Sequence, residues 1–199
     1  MVYHKGQVYV IGGFDGSGRT DTVEKINLKT ASQTEPWESV APLLKGLIDH
    51  CAVSIEGSIY VVGGKGNSTL QAYTQASRKW TFKSVMPCDT DNVAATAYKG
   101  QIFVLGGTPP VTLKYVPGTD SWEKLVPPSS VHAGSKAVAM GNSIFVLGGW
   151  NTANITHDEN RIDSVMEYKP QDDSWSQCNY KLWQTLSSHA AVVASIPQS

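Results

Sequence analysis

The sequence predicts an all-β chain made of four units of four-stranded antiparallel sheet, and three observations predict it. VYVIGG (8–13), IYVVGG (59–64), IFVLGG (102–107) and IFVLGG (144–149) are near copies, and a tryptophan follows each: Trp37, Trp80, Trp122 and Trp175. From each of the first three tryptophans to the last glycine of the next pair is 27 residues, whereas the reverse gap varies as 24, 16, 15 and 26. One half of the repeat is therefore scaffold and the other half takes insertions. Finally, each glycine pair closes a run of four apolar residues, mostly β-branched or aromatic. Such a run, too short for a helix and without polar alternation, reads as a strand buried on both faces.

The remaining strands follow in order. Ahead of the apolar runs lie AVSI (52–55), ATAY (95–98) and AVAM (137–140), joined to them by Glu56-Gly57, Lys99-Gly100 and Gly141-Asn142, with Lys5-Gly6 in the first unit. Two-residue connections of this composition are tight-hairpin turns, because such turns need positive φ. This places second strands near 7–11, 58–62, 101–105 and 143–147. A third strand ends near Ile26, Tyr73, Tyr115 or Tyr168, a polar turn follows, and the tryptophan opens a fourth strand, usually closed by proline. Four antiparallel strands in about 42 to 53 residues make a β-propeller blade. The glycine pairs are structural rather than phosphate-cradling, since no helix pattern follows them and they recur four times. The units span about 1–42, 43–87, 88–127 and 128–180, and 181–199 reads as a loop plus the first strand of a further or closing blade.

Composition narrows the function. The net charge of −1 gives no bulk attraction to nucleic acid or anionic membrane, and no apolar run approaches the roughly 20 residues that span a bilayer. Met1 to Gly6 is too short and polar for a signal peptide. Three cysteines, Cys51, Cys88 and Cys178, without CxxC spacing, argue against a disulfide framework and a zinc site. The sequons at Asn67 and Asn154 read as chance matches in polar loops. The expectation is one reduced, cytoplasmic domain that holds no metal or cofactor.

The glycine pairs Gly12-Gly13, Gly63-Gly64, Gly106-Gly107 and Gly148-Gly149 follow buried strands, and Tyr73, Tyr115 and Tyr168 precede their tryptophans by seven residues. In these features the chain resembles the Kelch family over essentially its whole length. The resemblance implies blades stacked around an axis, with Tyr73, Tyr115, Tyr168, Trp37, Trp80, Trp122 and Trp175 packed between neighbours. The first unit departs from the pattern, with Ile26 in place of tyrosine. Propellers of this family resemble six-bladed rings, so four units imply part of a larger propeller.

The loops between second and third strands (14–22, 65–69, 108–111, 150–164) and between units (43–49, 88–92, 128–134, 181–188) emerge on one side of the blades. The family binds partner peptides there, and the length variation falls there too. Arg19, Lys65, His132, Trp150, His157, Arg161 and Trp183 are the candidate contacts, since aromatics and arginine dominate interface hot spots. Adaptors that grip acidic peptides carry arginines where this chain has Leu47, Thr90, His132 and Leu186, which argues against a strongly acidic target.

Similarity is greatest to the substrate-recognition propellers of BTB-Kelch adaptors, which deliver targets to cullin-RING ubiquitin ligases. The resemblance thus implies a non-catalytic protein-interaction module. Alternatives within the family are an enzyme acting on a sugar and an actin or cytoskeleton binder. An oxidase would need a copper constellation, but the histidines at 4, 50, 132, 157 and 189 are scattered singly. His157-Asp158-Glu159 holds ligand-type residues, yet adjacent residues rarely converge on one ion.

Overall fold

Each unit grows outward from a hairpin. Lys5-Gly6, Glu56-Gly57 and Lys99-Gly100 all take positive φ, 47° and 84°, 44° and 90°, 49° and 74°, the backbone that a two-residue antiparallel turn requires. The structure, a computed structural model, describes residues 1–30, 37–151, 161–186 and 191. Within them lie four sheets of four strands, each a plain meander from first strand to fourth. The first blade holds β1 (Val2–His4), β2 (Gln7–Phe14), β3 (Arg19–Asn27) and β4 (Glu38–Val40). The second holds β5 (His50–Ile55), β6 (Ser58–Gly63), β7 (Leu70–Thr74) and β8 (Lys79–Lys83). The third holds β9 (Asp91–Tyr98), β10 (Gln101–Thr108), β11 (Val111–Val116) and β12 (Ser121–Lys124). The fourth holds β13 (Lys136–Met140), β14 (Ser143–Leu147), β15 (Ser164–Lys169) and β16 (Ser174–Lys181). The expected second strands are thus β2, β6, β10 and β14.

The unbroken apolar runs are explained by stacking. Successive residues of a strand point to opposite faces, and each inner blade has a neighbour on both. On β6, Ile59 and Val61 pack with Tyr9, Ile11 and Val23 of the first blade, while Tyr60 and Val62 pack with Ile102, Val104 and Tyr115 of the third. On β10, Phe103 and Leu105 meet Ile144, Val146, Met166 and Tyr168.

No such cluster joins the fourth blade to the first among the described residues. Trp37 therefore departs from the expected inter-blade packing. It is 41% exposed, against 5% for Trp80, and Val10 on β2 is 39% exposed. Burying a ring such as Trp80 removes some 150–250 Å², worth about 4–6 kcal/mol as an upper bound.

The first strands lie side by side at the centre. There Val2, Ala52, Ala95, Ala97, Ala137 and Ala139 line an open cavity of about 320 Å³.

The glycine pairs hold the loops between blades. Gly106 has φ 74°, and a Cβ there would lie 2.7 Å from the His132 carbonyl oxygen. At Gly148, with φ 60°, it would lie 2.5 Å from that of Leu186. Only glycine lets the backbones approach so closely. The contact is closed by hydrogen bonds from Gly13 N to Leu47 O (2.8 Å) and from Gly149 N to Leu186 O (2.7 Å). No helix of the described residues is long and apolar enough to cross a membrane.

Candidate partner-binding face

The loops that leave the glycine pairs are tied to the loops between blades, which gathers both sets on one side. Lys65 N donates to Ile48 O (3.0 Å) and Gly134 N to Asn92 O (2.8 Å). Gly66 N donates to the Asp91 carboxylate (2.8 Å), and Thr90 Oγ1 to Pro109 O (2.8 Å). Gln71, fully buried on β7, accepts from Leu44 N at 2.7 Å and donates to Lys45 O at 3.1 Å. A loop fixed this way presents its side chains with little entropy left to lose on binding.

The most extensive of these ties lies between the third and fourth blades. Gly107 pairs with His132, Ala133 with Trp150, and Trp150 with Arg161. Ala133 and Trp150 exchange backbone hydrogen bonds of 3.1 and 2.9 Å. Beyond them, Ile162 N donates to Gly149 O at 2.9 Å and Leu182 N to Asp163 O at 2.7 Å, while Lys181 pairs with the Asp163 carboxylate at 3.1 Å. A narrow ribbon thus crosses the face from Gly107 to Arg161 and fixes the backbone that carries Trp150.

Five of the candidate contacts are exposed, and two need comment. Arg19 opens β3 and is exposed, as are Lys65 and Arg161. Trp150 is 40% exposed and Trp183 fully so. His157 lies outside the described residues. His132 is corrected: it is buried, its Nδ1 lies 3.0 Å from Gly148 O, and its Nε2 lies 3.1 Å from Ser130 Oγ. Desolvation holds its pKa below the ordinary value, opposed by the Gly148 carbonyl. It is a strut beneath the face rather than a contact on it.

The same inward orientation holds at the aligned positions Leu47 and Thr90, both buried. The carbonyls of Leu47 and His132 each accept from a glycine pair, from Gly13 and Gly107, so those side chains turn under the loops. Nothing in the polar stretch PPSSVHAG (127–134) signals that burial. Asn67 is buried as well, and its side-chain nitrogen donates to Gly63 O (3.0 Å), so its sequon offers no exposed amide.

Two exposed apolar residues of the face were not among the candidates: Phe14 at 69% and Leu44 at 50%. The signal for Phe14 was an apolar residue heading the polar stretch FDGSG, whereas Leu44 lies in the apolar-rich loop LLKGLID and is not singled out there by sequence. Among the described residues, no three His, Cys, Asp or Glu side chains come together as a metal site.

Comparison with known proteins agrees with this architecture. The family model for the Kelch motif matches residues 1–44 and 132–181. Kelch-like protein 35 of Mus musculus is 28% identical over 155 residues, covering 75% of this chain and 26% of that protein. Kelch-like protein 23 of Homo sapiens is 25% identical over 195 residues, 94% of this chain and 33% of that protein. The chain thus spans a third or less of these relatives. The solved structure of YjhT superposes with a TM-score of 0.69 at 18% identity, covering 87% of this chain and 62% of that one. The second and third blades, outside the motif match, repeat the same meander, glycine pair and tryptophan. Residues 1–44 and 132–181 carry the Kelch motif, and the four units of the chain are four-stranded blades of a Kelch-type β-propeller.

Proposed function

We propose that this chain is a non-catalytic recognition module whose loop face binds a protein or peptide. We further propose that it serves as the target-binding part of a cytoplasmic ubiquitin-ligase adaptor. The observation that supports the binding reading is the ribbon from Gly107 to Arg161, which holds Trp150 in a fixed place while leaving it 40% exposed. Trp183, fully exposed, follows directly from the strand end anchored to Asp163. Two exposed indoles and an exposed arginine are the residue types that anchor interfaces. Three of the four positions where family members carry arginines for acidic peptides, Leu47, Thr90 and His132, are buried here, and the fourth is Leu186, which favours a target of mixed or apolar character. The adaptor reading rests on the Kelch-like relatives, and the cytoplasmic reading on three free cysteines, one of them buried.

The test is capture of proteins from cell extract by the immobilised chain and by a Trp150→Ala, Trp183→Ala double variant. Specific partners should fall at least about tenfold on the variant, the scale of losing one hot spot, with its melting temperature unchanged. Equal capture by both proteins rejects the face. For the adaptor role, the same double substitution in the full-length protein should lengthen the half-life of the captured target in cells.

A further inference from the structure

Two of the three junctions between blades are closed by the same device. At the third blade, the Asp120 carboxylate accepts from Tyr115 Oη (2.7 Å) and from the Ser84 amide of the preceding blade (2.9 Å). Trp122 Nε1 then donates to the carbonyl of that same Ser84 (2.7 Å). At the fourth blade, Asp173 accepts from Tyr168 Oη (2.7 Å) and the Val126 amide (3.0 Å), and Trp175 Nε1 donates to Val126 O (2.9 Å). One carboxylate oxygen collects a hydroxyl and an amide, and the indole takes the carbonyl beside it.

The junction between the first and second blades has every part except the carboxylate. Trp80 Nε1 donates to Ala41 O (2.8 Å), and Tyr73 stands as Tyr115 and Tyr168 do, in a ring pair with its tryptophan. The residue five positions after Tyr73 is Arg78, in the same left-handed conformation (φ 54°) as Asp120 (48°) and Asp173 (46°). In place of the closed device there is a cavity of about 160 Å³, lined by Lys25, Glu38, Ala41, Tyr73 and Arg78 among others. Among the described residues no hydrogen bond reaches the Tyr73 hydroxyl or the Ala41 amide. Glu38, the acid at its wall, is 71% exposed and paired with Lys25 at 3.0 Å. That pairing leaves the Arg78 guanidinium as the uncompensated charge.

We propose that this junction is a carboxylate-binding site: the Tyr73 hydroxyl, the Ala41 amide and the Arg78 guanidinium receive an external carboxylate where the other junctions use their own aspartate. The ligand class follows from the internal template, since equivalent donors bind a carboxylate oxygen twice in this molecule, and arginine adds a charged donor suited to that group. The site lies between outer strands and is separate from the loop face.

The experiment follows the Ala41 amide resonance of the isotopically labelled chain during titration with sodium acetate, with sodium chloride at matched ionic strength as control. Acetate should shift that resonance saturably and chloride should not. Arg78→Gln should weaken acetate about tenfold, as expected on losing one charge-assisted hydrogen bond. Arg78→Asp supplies the internal carboxylate, so it should abolish the response and raise the melting temperature by about 2–4 °C. A parallel titration with an acetylated, amidated Gly-Asp-Gly peptide identifies the source: tighter binding than acetate assigns the site to an acidic residue of a partner, equal binding to free small carboxylates. The proposal is overturned if acetate moves Ala41 no more than chloride does, or if Arg78→Asp still binds acetate as tightly as the parent.

Discussion

The indole Nε1 of Trp122 donates a 2.7 Å hydrogen bond to the carbonyl of Ser84 on the preceding blade. Among the described residues the four sheets share no strand ladder, so contacts of this kind, together with apolar faces and the loop bridges, hold the stack. The ring also packs on Tyr115 at 5.0 Å between centroids, within the range of favourable tilted pairs.

Removing such a ring leaves a cavity that a sheet stacked on both sides cannot close. Trp80→Ala and Trp122→Ala are each expected to cost about 3–5 kcal/mol of unfolding free energy in urea titration. Trp37→Ala, at a ring 41% exposed, should cost under about 1 kcal/mol. Equal losses at Trp37 and Trp80 would contradict the assignment of Trp37 to an uncovered face.

Acid should loosen the junction at the third blade. The Ser84 amide and then the Tyr115 hydroxyl hold the Asp120 carboxyl below its ordinary value of 3.8. A depressed carboxyl contributes stability that is present above the ordinary value and lost as pH falls through the folded one. Asp120→Asn should therefore flatten the acid limb of the stability profile below pH 3.8. An unchanged limb would show that the carboxylate contributes nothing there.

Histidine gives a second slope, at milder pH. Desolvation is the first cause lowering His4, His50 and His132 from 6.5. Each gains a proton less readily when folded than when unfolded. Stability is thus complete above 6.5 and declines as pH falls from there through the folded values. The urea midpoint should drop between about pH 7.5 and 5.5, and His132→Gln should remove part of that drop. A slope identical in the variant would separate His132 from it.

Glycine substitutions distinguish a crowded site from an open one. Gly148→Ala places a Cβ 2.5 Å from the Leu186 carbonyl oxygen and should cost more than about 3 kcal/mol. Gly16 has φ 97° with nothing within 4 Å, so Gly16→Ala should cost only backbone strain, about 1 kcal/mol. Comparable costs would remove the close approach as the reason for the pair.

Much of the fold was legible because its signals are local. The hairpin glycines, the four-residue apolar runs and the tryptophans each report on a few neighbouring residues, and the strand positions followed from them. The site was less legible. His132 reads as a loop residue in sequence, yet its burial is decided by Gly148 and Ser130 folding over it. Trp37 follows its glycine pair as the other tryptophans do, yet it is 41% exposed where Trp80 is 5%, because among the described residues no apolar cluster of another blade covers it. Likewise Arg78 differs from Asp120 by one residue identity, and only the Tyr115 and Ser84 hydrogen bonds show what that difference removes.

The central claim is that the loop face of the fourth blade recognises a protein partner. Residues 150–164 exceed their counterparts 65–69 and 108–111 by roughly ten residues. Extra length in a surface loop costs little stability, so binding and folding can be separated by shortening it. The direct measurement is the dissociation constant of a captured partner for the parent chain and for a variant with residues 152–160 replaced by a short Gly-Ser turn. That variant keeps the Trp150–Arg161 bridge and the Asp163–Lys181 pair. The account predicts an unchanged melting temperature and an affinity at least about tenfold weaker, a loss of about 1.4 kcal/mol. Unchanged affinity in a folded, shortened chain would contradict it.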